Sequence, residues 1–254
     1  MQRQQFLLYT LCRAMLQSIK SIYAERETFY MAERKKAVFL CGIVAVCCAV
    51  MLAVDGLLLP PYAVKSAIKV IFFLACPLLF CKAAHIDLRP FFKLGKKAAV
   101  FSLGLGVGLF LLILGAYALT RNVFDFSKIT GTLTENIGVD KDNFLYVSLY
   151  ISFMNSFLEE FFFRVFAFLT LRRFVSLRFA YLFSAASFTV YHVAMMSGWF
   201  GVGPYLLVLA GLFIGGLLFD FLNQRFESIY ASWFVHMFAN FAINCIGFML
   251  FAAV

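Results

Sequence analysis

The chain has 254 residues, 63% hydrophobic and 14% charged, against roughly 45–50% apolar and about 25% charged in a soluble domain. So few charges do not cover a water-facing surface; the composition is that of an integral membrane protein, long enough for about seven spans and no second, soluble domain. The net charge of +9 does not point to nucleic acid, because the basic residues flank apolar runs instead of gathering on a polar domain.

Residues 1–36 carry seven Lys/Arg and three Glu with no clean apolar core, unlike a secretory signal. Phe6, Leu7, Leu11, Met15, Ile19 and Ile22 recur at helical spacing with Arg3, Arg13 and Lys20 between them. This pattern predicts an amphipathic interfacial helix on the cytoplasmic face. Seven apolar segments follow, at 37–59, 63–81, 98–119, 144–170, 179–196, 204–222 and 229–252. Pro60-Pro61 separates the first two, and Arg89-Pro90 with Lys93, Lys96 and Lys97 separates the second and third. The polar stretch 121–143 reads as a loop outside the bilayer. The expected fold is an all-α polytopic transmembrane bundle. It divides into a cytoplasmic amphipathic segment (1–36), N-terminal spans with the long loop (37–143) and C-terminal spans (144–254).

The seven cysteines lie mostly in or at the ends of apolar stretches without metal-ligand spacing, and read as small buried hydrophobes. Sixteen Lys/Arg flank the spans on the side of the N-terminus. Five (Lys65, Lys69, Arg121, Lys128 and Lys141) fall on the other, and Arg164 lies inside a span. By the positive-inside rule the N-terminus is cytoplasmic, in a bacterial cytoplasmic membrane by default. Gly104-x-x-x-Gly108 and Gly211-x-x-x-Gly215 are expected to serve helix packing within one chain.

Ionisable groups inside spans are costly and mark functional sites. Here they concentrate in the C-terminal half: Glu159-Glu160…Arg164, Phe188…His192, Asp220…Gln224 and His236…Asn240. Each set contains an i, i+4 pair on one helix face, so Glu160 can pair with Arg164 and Asp220 can hydrogen-bond Gln224. Glu159 points ~100° away from Glu160 and stays free of that pair. Glu160–Arg164 reads first as a structural ion pair, and Asp220 and Gln224 as structural or interfacial. Together, a buried Glu, two His and an Asn supply a base for water and donors for an oxyanion. No Ser or Cys is paired with a base. Straight, upright spans would put Glu159 ~16 Å, His236 ~10 Å and His192 ~20 Å from the cytoplasmic end, so the site assembles only if helices tilt or break.

In this order on consecutive predicted spans, the four motifs resemble the CPBP family (CAAX proteases and bacteriocin-processing enzymes), also called the abortive-infection family of intramembrane proteases. The resemblance covers about residues 144–245. It implies a glutamate-dependent intramembrane endopeptidase, in which Glu159 and His192 activate the water and His236 and Asn240 form the oxyanion hole. Glu160 and Arg164 would support the site, with Phe188, Asp220 and Gln224 completing the motifs. The implied partners are the bilayer and a peptide or protein substrate, prenylated or otherwise membrane-associated. Zinc on Glu159, His192 and His236 is an alternative to a metal-free water. With no His-Glu-x-x-His helix and no nearby cysteine cluster, the expectation is no cofactor. A proton-coupled transporter and a non-catalytic immunity or scaffold protein are the rival readings. The sequence does not choose between a CAAX-type and a leader-type peptide.

Overall fold

The computed structural model describes residues 31 and 33–252; the amphipathic helix expected over residues 6–22 lies outside them. The described residues form helices and turns, with no strand. Helix α1 is Glu33–Leu58 and α2 is Tyr62–Ala83. After a 3-10 turn at Arg89–Phe92, α3 runs Lys96–Thr120 and α4 Ser127–Ile137. Helix α5 covers residues 144–170, with a 3-10 turn at Leu171–Arg173. Then come α6 Leu177–Met195, α7 Val202–Phe226 and α8 Ile229–Ala252. Among the described residues, five helices, α1, α2, α3, α7 and α8, are long and apolar enough to cross a membrane. Helices α5 and α6 match the other two expected spans in position; they carry the Glu-Glu-x-x-x-Arg motif and His192.

The breaks have local causes. Helix α1 ends where Leu59, pushed out of the right-handed helical region by the proline after it, turns left-handed (φ 43°), and Pro61 then caps α2 with φ −51° and ψ 148°. Ser176 caps α6 by accepting from the Phe179 N–H, as an N-cap serine does. Between α2 and α3, the Arg89 side chain donates to Asp87 and holds its carboxyl below the usual range. The stretch 121–143 is not a plain loop, as its polarity suggested. It contains α4, which stops where Gly138 takes φ 68° and the Gly138 and Val139 N–H groups bond the Thr134 and Leu133 carbonyls. A left-handed glycine is a common helix stop.

Helix α5 is the centre. Residues 160–170 are all buried, as expected of a helix apolar nearly all round, and α2, α6, α7 and α8 surround it. Phe73 of α2 stacks on Phe162 at 4.1 Å between ring centres and meets Phe163 edge-on. Helix α3 lies outside, against α8, where Gly106 lets the backbone approach Phe238. The expected Gly-x-x-x-Gly contacts are not made: Gly104, Gly108, Gly211 and Gly215 have nothing within 4 Å of where a Cβ would stand. The close approaches fall instead to Gly106 and to Gly216, which faces Ala185 of α6. Spacing marked small-residue helices, but neighbours chose the face.

Candidate active site

Two π-helical stretches lie in α5, Ile151–Asn155 and Glu160–Thr170; Glu159 ends the short α-helical turn between them and Glu160 opens the second. Such wide turns inside helices tend to occur at functional sites. Two further π stretches lie beside buried charges: Val54–Leu58 contains Asp55, and Ile71–Ala75 follows Lys69.

Glu159 is 2% exposed, and its two oxygens have different surroundings. Oε1 accepts from Asn155 Nδ2 at 2.9 Å, Lys69 Nζ at 3.0 Å and the Tyr191 hydroxyl at 3.4 Å. Oε2 faces His192 Nε2 at 3.9 Å and His236 Nε2 at 3.7 Å. Both separations exceed a direct hydrogen bond and suit a shared third polar atom such as a water oxygen. Residues that upright spans would set at different depths therefore meet. The start of α8 lies inside the protein: Ile229 is 0% exposed and Ser228, just before the helix, 1%.

The outer ring nitrogens distinguish the histidines. His192 Nδ1 lies 2.7 Å from the Phe188 carbonyl. A carbonyl only accepts, so Nδ1 bears the hydrogen and, in the neutral ring, Nε2 keeps its lone pair. His236 Nδ1 lies 2.8 Å from Glu160 Oε1, a carboxylate that can balance an imidazolium. Phe188 meets His192 edge-on at 4.5 Å between ring centres, and Phe219 stacks on His236 at 5.3 Å. Both rings are thus fixed by aromatic walls. Asn240, one turn beyond His236, donates to the Ile151 carbonyl at 3.2 Å, using one of its two amide hydrogens.

Behind the histidines lies a second charged group. Arg164 Nε is 3.5 Å from Glu160 Oε2 and 3.8 Å from Asp220 Oδ1, with all three side chains fully buried. Its guanidinium lies over Phe188, 4.5 Å from the ring centre. Ser184 donates to Asp220 at 2.9 Å. The expected Glu160–Arg164 pair is present. The expected Asp220–Gln224 bond is not: Asp220 turns to Arg164 and Ser184, while Gln224 accepts from the Tyr181 hydroxyl. An i, i+4 spacing only says which side chains can meet; α6 supplied closer partners for both. Asp220 is also not interfacial, being 0% exposed.

The sequence reading missed Lys69, Asn155 and Tyr191. Lys69 was assigned to a span end, but it is 3% exposed and bonded to Glu159 and Asn155. Its signal was available, since it lies seven residues into an apolar run where a charge is costly. Its neighbour Lys65 forms a buried ion pair with Asp55 of α1.

Residues 141–242 match a family described as type II CAAX prenyl endopeptidase Rce1-like, in agreement with the CPBP resemblance. No curated protein and no solved structure matches the chain significantly.

Proposed function

From the match of its C-terminal helices to a CAAX protease family, we propose that this membrane protein is an endopeptidase that hydrolyses a peptide bond with an activated water. The convergence of His192 Nε2 and His236 Nε2 on Glu159 Oε2, at 3.9 and 3.7 Å, is the observation that carries this reading. Water held by Glu159 and His192 loses a proton to this pair as its oxygen attacks the carbonyl carbon. The proton then passes to the leaving amine as the C–N bond breaks. For His236 to donate from Nε2 to the oxyanion it must hold hydrogens on both nitrogens, and Glu160 balances that charge. Asn240 supplies the second donor with its remaining amide hydrogen.

The reading uses no metal. Glu159, His192 and His236 are the side chains zinc would take, but the Lys69 ammonium already lies 3.0 Å from Glu159 and would repel a dication. Among the described residues, no group of three or more His, Cys, Asp or Glu is placed to hold a metal ion. The substrate in this reading is a prenylated peptide ending in a CAAX sequence.

The test uses the purified full chain in detergent with a farnesylated CAAX peptide, its unprenylated form and an unrelated leader peptide. Cleavage of the farnesylated peptide alone is expected, unaffected by a chelator, and Glu159→Gln should lose about 10²–10⁴-fold in rate. Undiminished cleavage by Glu159→Gln overturns the reading. The line of buried charges from Asp55 through Lys65, Lys69, Glu159, His236, Glu160 and Arg164 to Asp220 favours one rival, a proton-coupled carrier. Proton flux in proteoliposomes that disappears in Glu159→Gln, with no peptide cleaved, would establish it.

A further inference from the structure

All three donors to Glu159 bind the same oxygen. Lys69, Asn155 and Tyr191 converge on Oε1, and Lys69 also donates to Asn155 Oδ1, so Lys69, Asn155 and Glu159 close a triangle. The terminal torsion of a glutamate is broad and roughly two-fold. Left alone, either oxygen would turn toward the histidines. Lys69 comes from α2, outside the matched segment. Its charge is available to Glu159 because Asp55 pairs with Lys65, one turn earlier. The Tyr191 ring centre is 4.9 Å and the Phe73 ring centre 5.8 Å from the Lys69 ammonium, so aromatic faces hold the cation in place.

We propose that Lys69 is a positioning residue: it locks Glu159 by Oε1 so that Oε2 alone faces the reacting water. The proposal rests on Glu159 being the base, as read above. A merely structural Lys69 would tie α2 to α5 and have no bearing on which oxygen faces the histidines.

The experiment measures kcat and KM separately on the farnesylated peptide. Lys69→Met should lower kcat about 100-fold, the scale of a small misplacement in a site, while KM changes less than about threefold. Lys69→Ala is then assayed with n-propylammonium, which replaces the deleted atoms. An unattached cation restores the charge but cannot tie two helices together, so recovery of kcat by about tenfold or more is expected for a positioning residue. Full kcat in folded Lys69→Met, or no recovery by the amine in folded Lys69→Ala, overturns the proposal.

An infrared difference spectrum between wild type and Glu159→Gln adds an arm independent of turnover and of any Lys69 variant. Donors crowded on one oxygen should widen the separation between the antisymmetric and symmetric carboxylate stretches, and a separation typical of a free carboxylate would overturn the proposal. Failure of the base assignment shows up separately, as undiminished cleavage by Glu159→Gln.

Discussion

Glu159 and Glu160 are adjacent yet serve different partners, because one residue along a helix turns a side chain by about 100°. Glu159 meets Lys69 and the open edges of two imidazoles; Glu160 joins His236 to Arg164. The two cations also differ in kind. A lysine can be buried as the neutral amine, whereas a guanidinium does not lose its proton. Glu159→Gln should therefore remain folded, but the double change Glu160→Gln with Asp220→Asn strands the fully buried Arg164 charge. The expected cost is about 3–5 kcal/mol, read as a lowered denaturation midpoint in detergent. An unchanged midpoint would mean that Arg164 is not held by these carboxylates. At this scale the motif residues were legible because a charge or imidazole inside an apolar run stands out. Of their partners only the Glu160–Arg164 pair was legible: Tyr181 takes Gln224, and Ser184 with Arg164 takes Asp220, through contacts between helices that spacing along one helix does not report.

Helix α5 owes its central place to the run from Phe161 to Leu171, in which every residue is at most 2% exposed. Its N-terminal half is fastened to α8 by a polar seam. Asn244 donates to the Ser148 carbonyl and Ser152 hydroxyl, Asn240 to the Ile151 carbonyl, and Trp233 to the Phe153 carbonyl and Ser156 hydroxyl. These donors satisfy backbone oxygens around the π stretch Ile151–Asn155, as groups inside a bilayer must be satisfied within the protein. The α3–α8 contact offers a test of helix facing. A Cβ on Gly106 would lie 2.7 Å from Phe238, while one on Gly104 would meet nothing within 4 Å. Gly106→Val should cost about 1–3 kcal/mol, and Gly104→Val should stay within about 0.5 kcal/mol, both measured by thermal denaturation. Equal losses would place α3 in a different rotation. The glycine spacing was visible in the sequence, but which glycines touch a neighbour depends on the rotation of α3 against α8.

At the scale of the whole molecule, the basic segments gather at one end. Arg172 pairs with Glu227 at 2.8 Å, Arg173 donates to the Asp87 carbonyl and lies over Phe91, and Lys36 lies over Phe174. Of the five basic residues counted at the other end, Lys65 and Lys69 are buried in ion pairs, leaving Arg121, Lys128 and Lys141 exposed there. From the positive-inside rule we propose that the basic end faces the cytoplasm. Lys93→Cys should then react with an impermeant maleimide in inverted vesicles only, and Lys128→Cys in right-side-out vesicles only; the reverse pattern would invert the topology. By itself the sequence determined the all-helical membrane architecture, the breaks at Pro60-Pro61 and around Pro90, and the four motifs in order. These follow from hydropathy, proline and charge along a single chain. Only the tertiary structure decided that Lys69 of α2 holds Glu159, that His192 and His236 converge on its other oxygen, and that Asp220 serves Arg164. Each of these is a contact between helices distant in sequence, and in the low-dielectric interior a buried charge takes whichever partner the neighbouring helix brings within reach.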